Sequence, residues 1–136
     1  MLNSLQTSIY QHLSSKGYEV VDIIDENIKM PYLKLGDTKL SDKVLKTGEK
    51  LHYISWGLFY WYDGSGKGRK EVNSKYMDIY ESLYEMLYKE VGEYCIIDCN
   101  LSHDGNNGIE EHYIDENTIL YQASITFDFI LKRKVS

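Results

Sequence analysis

The stretch Ile119-Leu120-Tyr121-Gln122-Ala123-Ser124-Ile125-Thr126-Phe127-Asp128-Phe129-Ile130-Leu131-Lys132 sets Ile119, Tyr121, Ala123, Ile125, Phe127, Phe129 and Leu131 on one side, with Gln122, Ser124, Thr126, Asp128 and Lys132 on the other. Successive side chains of a strand point to opposite faces, so this alternation predicts a strand from about 117 to 132 with one face in a core. A second long segment, 49–62, places Ile54, Trp56, Leu58 and Tyr60 on one face while Tyr53, Phe59 and Trp61 crowd the other. Both of its faces want cover. At ~3.3 Å per residue each strand would span about 45 to 50 Å, whereas a compact domain of this length is about 37 Å across. Each must therefore bend, bulge or project. Gly57 offers a bulge; the alternative is a projecting two-stranded arm that pairs with a neighbouring chain.

Outward from these strands, Leu2, Leu5, Ile9 and Leu13 make a helical stripe, with Asn3 and Gln6 at capping-box spacing and Gly17 placed as a stop. Helix 1 is expected over about 3–16. Tyr18 to Ile24 and Pro31 to Gly36 read as two short strands, with Asp25-Glu26-Asn27 in the turn between them and a polar link from Asp37 to Gly48 after them. Helix 2 is expected over about 71–92, burying Val72, Tyr76, Ile79, Tyr80, Leu83, Leu87 and Val91. Tyr76, Tyr80, Tyr84 and Tyr88 step by four and drift about 40° per step, so the row leaves the core and ends on its flank. Tyr94 to Leu101 is a further strand, and His103 to Gly108 is dense in turn residues. The expected fold is α+β in the order α-β-β-β-α-β-β, a mainly antiparallel or mixed twisted sheet packed by two helices in a single domain spanning 1–136.

A length of 136 residues suits one domain, and 43% apolar content arranged periodically excludes a disordered chain. The net charge of −6 disfavours sequence-independent nucleic-acid binding, which rests on phosphate neutralisation. An acidic wall nevertheless suits a conduit that DNA slides through, and the same charge serves solubility. No apolar run reaches the ~20 residues of a membrane helix, and the N-terminal residues lack signal-peptide blocks.

Chemistry-bearing constellations are sparse. Gly64-Ser65-Gly66-Lys67-Gly68-Arg69-Lys70 lies between strand and helix, the setting of a phosphate-cradling loop, but Gly68 stands where a magnesium-holding hydroxyl belongs. A flexible basic connector is the better reading. Cys95 and Cys99, four apart in a strand and about 13 Å from each other, are too distant to bridge and are expected reduced and buried. With His103 and His112 they do not make a turn-borne zinc set, so neither metal nor cofactor is expected. The carboxylates Glu110, Glu111, Asp115 and Glu116 read as a solvated acidic loop.

Met30-Pro31-Tyr32-Leu33-Lys34-Leu35-Gly36, the strand His52 to Tyr62 centred on Trp56, the helix opening Glu71-Val72 and the closing strand Leu120 to Phe127 together resemble the tail-completion family of long-tailed phages and prophages. The leading helix, Ser4-Leu5-Gln6 to Leu13, is similar to that family's opening segment, so the resemblance covers nearly the whole chain. It implies a non-enzymatic protein similar to tail terminators, with helices on a sheet and a hexameric ring when assembled, from chains that can be monomeric in solution. The implied role is to cap the tail tube and join tail to head. The implied partners are further copies of the chain, the major tail tube protein and a head connector or neck protein, with DNA passing through the lumen without specific binding. The implied place is the head–tail interface of a virion made in a bacterial cytoplasm. Gly64, Lys67, Arg69, Lys70, Tyr84, Tyr88, Glu110, Glu111, Asp115 and Glu116 are the residues expected at oligomer or partner contacts. A head-completion or other neck protein is the alternative within the structural class; outside it stand a small phosphate-binding enzyme using Gly64 to Lys70 and an adaptor that binds a peptide along a strand edge.

Overall fold

The computed structural model describes residues 1–23, 28–64 and 68–135. The two long alternating segments become the centre of the sheet: β3 (Lys50–Asp63) and β7 (Ile119–Arg133) pair antiparallel from Leu51↔Lys132 to Asp63↔Leu120. Around them stand β1 (Val20–Val21), β2 (Tyr32–Val44), β4 (Glu90–Val91), β5 (Tyr94–Leu101) and β6 (Gly108–Tyr113), with α1 (Leu2–Ser15) and α2 (Arg69–Tyr84). The expected α-β-β-β-α-β-β order holds, with the short β4 and β6 added to it. The mixed sheet runs β1-β2-β3-β7-β5-β4, with β6 also on β7. β1 is parallel to β2, and every other pairing is antiparallel.

One face of the sheet is the core. Ile54, Trp56, Leu58, Tyr60 and Tyr62 of β3 lie beside Tyr121, Ala123, Ile125, Phe127 and Phe129 of β7, and all are buried. Leu5, Ile9 and Leu13 of α1 and Val72, Ile79 and Leu83 of α2 close over them, while Tyr76 and Tyr80 are only partly buried and Leu2 and Leu87, expected on the buried stripes, are exposed. α1 starts from Met1 with no side-chain cap, so the expected Asn3–Gln6 capping box does not form. Its end is as expected: Gly17 takes φ +94° and donates its N–H to the Ser14 carbonyl.

Four expectations need correction. The segment 37–48 is not a polar link throughout, because β2 continues to Val44 and turns at Gly48 into β3. Every side chain from Asp37 to Val44 is exposed, so this half of β2 carries no apolar period strong enough to announce a strand; its hydrogen bonds to β3 hold it. The Tyr18–Ile24 strand shrinks to Val20–Val21, and its turn at Asp25-Glu26-Asn27 lies outside the described residues. Helix 2 stops at Tyr84 rather than near 92: the N–H groups of Glu85, Met86 and Leu87 tighten onto carbonyls three residues back, and Tyr88, at φ +67°, donates its N–H to Ile96 of β5. The acidic segment is not a loop throughout, since Glu110 and Glu111 lie in β6.

β7 explains β6. β5 covers only the Phe127–Arg133 part of its edge and β6 takes Ile119–Ser124. Thr126, in the gap, receives Ser102 N–H on its carbonyl and gives its own N–H to Asn107 Oδ1, both at 2.8 Å, so a side chain completes the ladder. The length problem of β3 is met by a register break in β2 between Leu35 and Thr38, where Gly36 and Asp37 face the single residue Gly57. The bulge is on the partner strand opposite Gly57, and beyond it the β2–β3 hairpin runs on beside β7.

A buried histidine joins the two helices. His12 places Nε2 2.6 Å from the Ser82 carbonyl and Nδ1 3.1 Å from Lys89 Nζ. That geometry fits a neutral ring, donating at Nε2 and accepting from the lysine at Nδ1. Burial, aided by the Lys89 charge and opposed by the bond to Ser82, holds its pKa below 6.5. The unfolded chain then takes up the proton more readily, so this contribution is present above pH 6.5 and is lost as pH falls below it. Urea unfolding midpoints should drop from about pH 7.5 to about pH 5.5 more steeply for the natural chain than for His12→Gln.

Candidate assembly surface

The surface expected to make contacts divides into two parts at opposite ends of β7. At the Ile119 end, Arg69 opens α2 and reaches Glu111 of β6, Nη1 to Oε1 at 2.7 Å. Its guanidinium also lies 6.0 Å from the centre of the Tyr121 ring. Glu111 additionally accepts from the Tyr113 hydroxyl at 2.6 Å, and that bond first, then the arginine, holds its carboxyl below the usual range. Gly64 is buried rather than a free connector residue: its N–H donates to the Ile119 carbonyl, and an added Cβ would lie 2.3 Å from the Tyr121 ring. Lys67 lies outside the described residues. Lys70 is exposed on α2. Glu110 is exposed on β6, with His112 Nε2 3.6 Å from it.

Asp115 and Glu116 follow β6 in an exposed turn. Asp115 Oδ1 accepts the Asn117 N–H at 2.8 Å, the chief reason its carboxyl is held low. The structure thus brings Gly64, Arg69, Glu110 and Glu111 around one corner of the sheet. Tyr84 and Tyr88 do not join them. Tyr88 meets Ile96, which pairs with Leu131, while Glu111 pairs with Tyr121. Ten residues along β7 separate the two sites, about 33 Å.

Nor do the two tyrosines make a common stripe. Tyr84 is half-buried, its ring edge-on to Phe127 with centroids 4.9 Å apart and its hydroxyl accepting the Leu101 N–H at 3.3 Å. Tyr88 is 71% exposed on the turn after the helix. The cause is the early helix stop, which ends the four-residue stepping at Tyr84.

Among the described residues no group of three or more His, Cys, Asp or Glu could hold a metal ion. Cys99 is buried and its thiol is pushed up to about 11, chiefly by burial, whereas Cys95 is only half-buried, which corrects the expectation for that residue. No helix among the described residues is long and apolar enough to cross a membrane.

The sequence missed the outer half of β2. From Asp37 to Val44 its outward edge has no backbone partner among the described residues, because β1 reaches only Leu33 and Lys34. Leu40 and Val44 on it are 49% and 61% exposed. The available signal was the turn at Gly48 between two runs with Leu40, Val44 and Leu51. β6 is likewise an edge: it pairs with β7 on one side and has no described strand on the other. Among the described residues, beside the two-residue end strands β1 and β4, the outer half of β2 on one flank and β6 on the other thus present longer free edges, and unpaired strand edges are templates for another chain.

No family model matches this sequence, and none of the curated proteins matches it. Among solved structures, the fold is similar to that of a chain in the virion of a native gene transfer agent particle, with a TM-score of 0.67 over 91% of this chain and 91% of that one at 12% identity, a likeness that shows a common fold.

Proposed function

We propose that this chain is a structural protein of a phage or prophage virion, which caps the tail tube as a hexameric ring and joins tail to head without enzymatic activity. The observation that carries the reading is the end-to-end fold likeness to a chain of a virion particle. Two features support the finer role. The sequence resembles the tail-completion family along nearly its whole length, and the sheet has an open edge on each flank, as a subunit with neighbours on both sides needs. The output of such a protein is binding: copies of itself at its flanks, the tail tube on one ring face, the head connector on the other, with DNA passing through unbound.

Separating heads from tails tests the reading. In lysates of a mutant blocked in head assembly, the chain should sediment with finished tails, detected by antibody on gradient fractions. Recovery with heads from a tail-defective mutant, and not with tails, would move the protein to the head side of the neck.

A further inference from the structure

The two free edges of the sheet match each other in direction, in facing and in side-chain chemistry. Going across the sheet, β2, β3, β7 and β6 are each antiparallel to the next, so β2 and β6 run in opposite directions. Copies placed side by side head-to-tail would bring the β2 of one against the β6 of the next as an ordinary antiparallel pair. Facing follows from the pairings. Lys39 lies beside Ser55 and Asp128, and Glu110 lies beside Gln122, so both point away from the helices. Leu40 lies beside Ile54 and Phe129, and Ile109 lies beside Ala123, so both point to the helical side.

We infer that β2 of one copy pairs with β6 of the next, with Lys39 opposite Glu110 and Leu40 opposite Ile109, so that one sheet continues from subunit to subunit. The inference deepens the ring reading and rests on it. Two pairings keep the faces matched and give Glu110 a lysine: Lys39 opposite it, or Lys43 opposite it. Geometry separates them. Lys39 is level with Asp128 and Glu110 with Gln122, a stagger of six residues along β7, about 20 Å at 3.3 Å each. Four strands at ~4.8 Å carry the chain about 19 Å round the ring, so closure needs the strands tilted by about 46°, near the 35–45° of closed sheets.

The Lys43 register would need a stagger of about 33 Å and a tilt of about 60°, and it would also set Asp42 against Glu111. In the preferred register Thr38 faces Glu111, whose charge Arg69 already meets. Lys39 has no ion partner among the described residues, and Glu110 has only the His112 ring at 3.6 Å. Leu40, exposed in the single chain, gains an apolar neighbour. A two-fold pairing of β2 with β2 would instead put lysines on both edges.

The test uses the purified chain with Cys95→Ser, to remove the half-exposed native thiol, and the substitutions Lys39→Cys and Glu110→Cys. With both in one chain, oxidation or a short bis-maleimide should give a ladder of linked multimers. A mixture of the two single variants should stop at a linked pair, and either alone should give none. Electron microscopy of the same samples scores rings. Rings without the cross-link would overturn the edge pairing and leave the ring reading standing, whereas a ladder without rings would keep the pairing and sink the ring. Linked pairs from Lys39→Cys alone would overturn the inference in favour of a two-fold dimer, and neither rings nor links, in the purified chain and in tails isolated from lysates carrying the same variants, would overturn both readings. Independently, Lys39→Glu should abolish multimers in sedimentation and Glu110→Lys in the same chain should restore them. A failure of that rescue, with both variants folded by circular dichroism, also counts against the pairing.

Discussion

Replacing Phe127 by alanine is expected to remove about 3–5 kcal/mol of stability, a large share of the about 5–15 kcal/mol typical of a folded domain. Phe127 is fully buried at the centre of the molecule. Its ring meets Tyr84 edge-on at 4.9 Å and Phe129 at 5.5 Å, and in the sheet it stands between Trp56 of β3 and Leu101 of β5. Four elements therefore line the hole that truncation would leave. Because β3 and β5 are fixed to β7 by their ladders, the walls cannot collapse inward, which places the loss at the upper part of the range for large-to-small changes. Val44→Ser, on the exposed outer half of β2, should change stability by no more than about 0.5 kcal/mol in the same urea titration followed by circular dichroism. A Phe127→Ala loss below about 1 kcal/mol would mean that this part of the core is loosely packed.

Deleting the gene is expected to leave filled heads and separate tails, with infectious particles reduced to a small residue. This outcome follows from the proposed role of capping the tube and joining it to the head. If the chain caps the tube, two effects should appear together in micrographs of the lysate: heads and tails present in normal numbers but unjoined, and tails of irregular, excess length where nothing ends polymerisation. Supplying the natural chain from a plasmid should restore joining. Supplying the Lys39→Glu variant should not, and adding Glu110→Lys to it should recover titre. Complete infectious virions in normal numbers without the protein would rule out the joining role. Empty or malformed heads would assign it to the head side of the neck.

The sheet was legible because its two longest strands are also its most regular. Ile119 to Leu131 and Ile54 to Tyr60 bury one face along almost their whole length, and burial of alternate residues writes itself into the sequence as alternation. The same holds for Leu5, Ile9 and Leu13 on α1. Of the contact residues, the pairing of the Gly64–Lys70 region with the acidic segment appears in space as Arg69 on Glu111, a contact 42 residues apart in sequence for which no local pattern exists.

The rest was decided by competition between partners. The tyrosine row at 76, 80, 84 and 88 continues as a helix on local spacing alone, yet Ile96 offers its carbonyl to the Tyr88 N–H, and Gly92, at φ +62°, allows the tight turn that folds β4 back onto β5. Glu110 and Glu111 read as a solvated loop, yet the edge of β7 left uncovered by β5 needs hydrogen-bond partners, and β6 supplies them. Asp37 to Val44 read as a link, yet the edge of β3 from Lys50 to Trp56 needs hydrogen-bond partners, and β2 supplies them. The sequence by itself determined the elements whose side chains are sorted by burial, because that sorting leaves a period of 2 or 3.6 residues. Only the tertiary structure decided the helix stop, the edge strands and the bulge opposite Gly57, because those depend on which backbone groups are left without a partner once the core has formed, and backbone groups are the same in every residue but proline.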